Sequence, residues 1–226
     1  MVWFVRRSAV GILIPAVMLA FLQGMARAQH QAYSQTIAVL QELYVKEVKA
    51  HQRYRLFSEA ALREEHPNIA HLFAALAYSE SVHARQFRRI LNELQAPVPE
   101  VPLADIRVGT TRENLKYATD VELAEIDREY PAYLGRIEAE HHAEAQKYIR
   151  YAWSAERQHR DLIKQIQSGT GMFFRLLIKR FKAEKHRYFV NQNCGATVTE
   201  LPKDRCPICH KPVSTYVEIP PPGKPH

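Results

Sequence analysis

The sequence predicts an all-α four-helix bundle with one long crossover, followed by a small C-terminal β domain. Three observations predict it. From Ser34 to about Ser168 glycine is scarce and apolar residues recur with a 3.6-residue period. Residues 95–110 hold Pro97, Pro99 and Pro102 and interrupt that pattern midway. After Ser168 the composition turns to short β-forming runs and turn residues, and all three cysteines lie there.

The periodic segments read as helices over 34–63, 67–94, 111–139 and 141–168. His66-Pro67-Asn68 separates the first from the second. The third and fourth meet near Glu140-His141-His142, a turn without glycine, and Gly169 and Gly171 close the fourth. Short turns make each pair antiparallel. The extended crossover reaches about 50 Å, whereas a helix of the predicted length spans about 42 Å. The crossover can therefore run the length of the bundle, which gives two hairpins joined in a ferritin-like four-helix bundle.

The ends of the chain have their own character. Residues 1–28 read as an export signal: Arg6 and Arg7, an apolar run from Ser8 to Leu22, then Ala26-Arg27-Ala28 before Gln29. The expectation is an exported, periplasmic protein; the alternative is an uncleaved N-terminal membrane anchor. The net charge is +7. Without Arg6, Arg7 and Arg27 it is about +4, too mild to argue for nucleic acid. Residues 29–170 would form the bundle, 171–187 a linker, 188–219 the small domain and 220–226 a disordered tail. The basic, apolar stretch Met172 to Lys182 reads either as a helix on a membrane surface or as a linker packed on the bundle, and the linker is preferred.

The chemistry lies on the apolar stripes. The fourth helix presents Ala145, Ile149, Ala152, Glu156, His159, Ile163 and Ile166 on one face. The second presents Leu72, Phe73, Leu76, Glu80, His83, Phe87 and Ile90. Glu47 lies on the stripe of the first helix, and Glu122 and Glu125 on that of the third. Desolvating a bare carboxylate costs several kcal/mol, roughly per ion, so five glutamates facing one core call for cations. Glu-x-x-His puts both side chains on one helix face, one turn apart. Two such motifs with glutamates from the other two helices form a di-iron carboxylate pattern. Glu47, Glu80, Glu125 and Glu156 all fall near mid-helix, so they share one layer whichever way each helix runs. Oxygen donors with two imidazoles suit Fe or Mn better than Zn. Tyr44 and Tyr54 read either as hydrogen-bond partners of the ligands or as ordinary core aromatics.

These segments resemble the rubrerythrin family. Glu47-Val-Lys-Ala-His-Gln-Arg53-Tyr54 looks like its first ligand segment, and Glu80-Ser-Val-His83 and Glu156-Arg-Gln-His159 like its two Glu-x-x-His motifs. Glu122-Leu-Ala-Glu125 followed by Tyr130-Pro131 is similar to its third-helix segment. The likeness runs from about Gln41 to Ile219. It implies two iron ions held by Glu47, Glu80, Glu122, Glu156 and His159. One iron would move between Glu125 and His83 as the redox state changes. It further implies a non-haem peroxidase that reduces hydrogen peroxide in oxidative-stress defence. The alternative is an iron-binding, ferroxidase-type protein that handles iron by oxidising Fe(II) without a dedicated electron donor. The expected partners are the oxidant, an external electron donor and a second copy of the chain in a homodimer.

The resemblance also implies a rubredoxin-like C-terminal domain with one iron on two C-x-x-C pairs. Here one pair is intact, Cys206-Pro-Ile-Cys209, while the other reads Asn191-Gln-Asn-Cys194. His210 stands where the family usually has Gly. Cys194, Cys206 and Cys209 then hold Fe or Zn with Asn191 or His210 completing the site, or two of them form a disulfide. Either way the internal electron feed is altered, which is why an outside donor is expected.

Overall fold

The computed structural model describes residues 32–124, 128–167 and 186–223, with 121–124 and 165–167 described as backbone only. The first two helices are α1 (Ser34–Arg63) and α2 (Pro67–Glu93). Pro67 occupies the first turn of α2, where a missing N–H costs nothing. The turn before it passes through Glu65 at φ 61°, and the N–H groups of Glu64, Glu65 and His66 bond back to the last carbonyls of α1.

The crossover runs the length of the bundle, as expected. Near its start Gln41 Nε2, in the first half of α1, donates to Pro97 O at 2.7 Å. At its end the Glu64 carboxylate, just past α1, accepts the N–H of Thr111, which opens α3 (Thr111–Ala124). Thr110 and Glu113 exchange side-chain and backbone hydrogen bonds in a capping box that starts α3.

The third helix departs from the sequence reading. It is not one regular α-helix over 111–139: beside α3, the described residues 128–129 are π-helical, a short α4 (Tyr130–Ile137) follows, and a 3₁₀ turn at Glu138–Glu140 comes after it. Pro131 lies in the first turn of α4, where its missing N–H is tolerated. The connection to α5 (Ala143–Gln167) does without glycine by placing His141 in the left-handed region, φ 52°.

The core is split in two. Tyr54, Phe57, Leu72, Phe73, Leu76, Leu115 and Ile163 pack at one end of the bundle. Ile37, Leu40, Leu43, Phe87, Ile90, Leu134, Ile149 and Ala152 pack at the other. The polar residues of the stripes lie between these clusters.

The C-terminal segment forms a three-stranded antiparallel sheet in the order β2-β1-β3, from β1 (Tyr188–Asn191), β2 (Thr197–Val198) and β3 (Tyr216–Ile219). Strand alternation divides β1. Tyr188 and Val190, with Ile219, join the core of the bundle, while Phe189 packs with Cys194, Cys206, Cys209 and Tyr216. His71 of α2 ties the sheet down through Ile219 O at 2.7 Å. The expected export signal, the stretch Met172 to Lys182 and the last three residues of the tail lie outside the described residues. Among the described residues no helix is long and apolar enough to cross a membrane.

Candidate metal centre

Among the described residues five side chains meet between the two apolar clusters: Glu47 from α1, Glu80 and His83 from α2, Glu156 and His159 from α5. Single ligand atoms of Glu47, Glu80, His83 and Glu156 all lie within 4.8 Å of one another. His83 Nδ1 faces three carboxylates, Glu80 at 3.0 Å, Glu156 at 3.4 Å and Glu47 at 3.6 Å. His159 Nδ1 lies 3.0 Å from Glu156 and 3.3 Å from Glu80. None of the five is more than 4% exposed.

The far edges of the two rings fix their tautomers. His83 Nε2 lies 3.2 Å from the carbonyl of Cys194, which only accepts, so Nε2 carries the hydrogen. His159 Nε2 lies 3.3 Å from Thr197 Oγ1, whose own hydrogen goes to Gly195 O, so His159 Nε2 donates as well. Each ring therefore turns Nδ1, the nitrogen available to a metal, toward the carboxylates.

Electrostatics lead to the same reading. Burial raises the Glu47 carboxyl to about 8. Burial opposes charge on His83, yet the carboxylates of Glu156, Glu47 and Glu80 outweigh it and hold the imidazole well above its ordinary range. His159 rises to about 9, the Glu156 and Glu80 charges again overcoming burial. The layer thus demands positive charge at its centre, and metal ions supply it in exchange for protons. Buried carboxylate oxygens and imidazole nitrogens converging from facing helices fit a pair of iron ions.

Glu122 lies in the last turns of α3, where only backbone is described, and Glu125 lies outside the described residues. Of the two tyrosines proposed from the sequence, Tyr54 packs against Phe57 and Phe73, and Tyr44 lines a surface groove with Val48 and His51. Among the described residues Tyr130 reaches a ligand, its buried hydroxyl donating to Glu47 Oε1 at 3.1 Å. Its position beside Pro131 gave no periodic signal. The sequence reading also missed the cover over the site. Ser79 Oγ donates to Gly195 O at 2.6 Å, Gln158 accepts the N–H of Thr197, and Arg85 donates to Gln192 O.

Behind that cover lies the cysteine cluster. The ligand atoms of Cys194, Cys206 and Cys209 fall within 4.8 Å of one another, and all three thiols are free. Cys194 Sγ and Cys206 Sγ are 3.6 Å apart, against about 2.05 Å in a disulfide. Their mutual hydrogen bonds push Cys194 up and Cys206 down, and Tyr216 OH donates to Cys206 Sγ at 3.1 Å. His210 is exposed and outside the cluster, which excludes it as the completing residue here. It holds the left-handed conformation, φ 58°, that a glycine would otherwise supply.

Residues 38–167 match the protein family described as Rubrerythrin. Rubrerythrin-2 of Clostridium acetobutylicum is 31% identical over 178 residues, 77% of this chain and 91% of that protein. Nigerythrin of Nitratidesulfovibrio vulgaris is 22% identical over 203 residues, 90% of this chain and 96% of that protein. A solved structure of nigerythrin in a mixed-valence state superposes with a TM-score of 0.68 at 23% identity, covering 81% of this chain and 86% of that one.

Proposed function

Since the chain belongs to the rubrerythrin family, we propose that it is a di-iron oxidoreductase reducing hydrogen peroxide to water in an exported, periplasmic compartment. Two ferrous ions held in the carboxylate layer would supply two electrons, and with two protons one peroxide gives two waters. The protein's part is to place and shield them. Glu47, Glu80, Glu156, His83 and His159 provide ligands from three helices, and Tyr130 orients Glu47. Glu122 and Glu125 are assigned to the same centre on the strength of their motif.

The observation that carries this reading is the cover. The Cys194–Thr197 segment bonds both imidazoles, and its first residue, Cys194, belongs to the cysteine cluster. A centre that is buried among the described residues and lies beside a cysteine cluster suits turnover of a small oxidant fed with electrons. The passage of many iron ions into a store would need an open route. Hydrogen peroxide, an external donor and a second copy of the chain in a homodimer are the expected partners.

The second reading, Fe(II) oxidation by dioxygen in iron handling, draws support from Asn191, which removes one thiolate from the usual electron-transfer set. The test is to reduce the iron-loaded chain without oxygen and mix it with hydrogen peroxide or with dioxygen. Faster oxidation by peroxide supports peroxide reduction. Faster oxidation by dioxygen, with a large hollow assembly on size-exclusion chromatography, supports iron handling instead.

A further inference from the structure

We propose that Asn191 Oδ1 is the fourth ligand, with the sulfurs of Cys194, Cys206 and Cys209, of a four-coordinate divalent cation behind the carboxylate centre. Asn191 ends β1 and is fully buried. Its amide is locked in one orientation. Thr215 Oγ1 donates to Pro212 O, so it accepts from Asn191 Nδ2 at 2.7 Å. On the other side Oδ1 accepts the N–H of Asn193 at 2.9 Å and, more weakly, that of Cys194 at 3.3 Å. Oδ1 is thereby turned toward the sulfurs.

Two opposite edges match a coordination tetrahedron, and the three sulfurs lie within 4.8 Å of one another. Cation–sulfur and cation–oxygen bonds of about 2.3 and 2.1 Å place sulfurs about 3.8 Å apart and sulfur about 3.6 Å from oxygen. Cys194 Sγ to Cys206 Sγ is 3.6 Å, and Cys209 Sγ to Asn191 Oδ1 is 3.6 Å. The backbone N–H groups of Ala196, Cys209 and Lys211 hydrogen-bond the sulfurs of Cys194, Cys206 and Cys209 in turn.

The ligand chemistry selects the ion. Three thiolates choose Zn²⁺, Fe²⁺ or Co²⁺ over hard cations. A neutral amide in place of a fourth thiolate lowers the negative charge of the ligand set by one and favours the divalent over the trivalent state. The site is independent of whether peroxide is the substrate of the carboxylate centre.

The test is Co²⁺ titration of the reduced, metal-stripped full chain, read at the thiolate-to-cobalt charge-transfer band, to which the carboxylate centre contributes nothing. In the wild type the thiolate band should reach the intensity of one tetrahedral Co²⁺ per chain, whatever the carboxylate centre also binds. Outer-sphere partners alone change metal affinity by about 10–100-fold, so Asn191→Ala should lose at least about tenfold and shift the d–d bands. Asn191→Asp, which keeps an oxygen at the same place, should bind as well as wild type or better. No thiolate band in the wild type with free thiols present, a disulfide by mass, or unchanged affinity and spectrum in Asn191→Ala would each overturn the assignment. Equal loss in both variants, with circular dichroism unchanged, would overturn it as well, because the residue would then act only by holding the loop.

Discussion

Gly195 lies directly against the imidazole of His83: a Cβ at this glycine would stand 2.2 Å from His83 Nε2 and 2.8 Å from Ser79 Oγ. Its φ of +76° is in the left-handed region. The cysteine-bearing sheet comes this close to the carboxylate layer only because that position has no side chain.

Gly195→Ala should therefore disturb both centres at once. The left-handed backbone alone costs about 1–2 kcal/mol, and the methyl group must displace His83 or lift the sheet. The expected outcome is lower iron content per chain and faster amide exchange along the middle of α2. Wild-type iron content and exchange would show that the close approach is not required.

Tyr130→Phe tests the hydroxyl on Glu47. The change keeps the ring between the helices and leaves one oxygen of a buried carboxylate without its donor. Iron affinity should fall by about tenfold or more with little change in thermal stability. Competition with a calibrated chelator measures the first and calorimetry the second.

Glu140 sits after α4 and accepts the N–H groups of Gln35 and Thr36, the opening residues of α1, at 2.8 and 2.7 Å. Burial pushes its carboxyl up, but these backbone donors outweigh burial and bring it below its ordinary 4.5. A carboxyl lowered by folding stabilises fully above pH 4.5, and the contribution fades as pH falls through the folded value. Glu140→Gln should cost about 0.5–1 kcal/mol at pH 7, the usual size for a charge at a helix start. The gap to wild type should close as pH falls below 4 by roughly a unit. Urea unfolding at the two pH values checks this; a gap that widens in acid would refute it.

The helix-borne part of this architecture was legible because its signals are local. Glu80 and His83, or Glu156 and His159, are three residues apart, and their placement on apolar stripes follows from helical periodicity alone. The crossover was legible from its prolines and its length. What escaped depends on distant contacts or on a change of helix type. The third helix changes type at 128–129 and again at Glu138–Glu140, which an apolar stripe does not record. The carbonyl of Cys194 meets His83 across 111 residues of sequence, and Tyr130 meets Glu47 across 83. Asn191 and His210 were both open as partners of the cysteines, because exposure and amide orientation are tertiary facts.

The most direct test of the two-metal centre is iron per chain after anaerobic Fe(II) loading, measured by elemental mass spectrometry. The chain to use is full length, with Cys194, Cys206 and Cys209 changed to Ser so that only the carboxylate layer can hold iron. Removing the C-terminal segment instead would strip Tyr188, Val190 and Ile219 from the core. About two irons per chain are expected, falling to none when Glu80→Gln and Glu156→Gln are added. No iron before those two substitutions, or undiminished iron after them, would contradict the carboxylate layer as the metal centre.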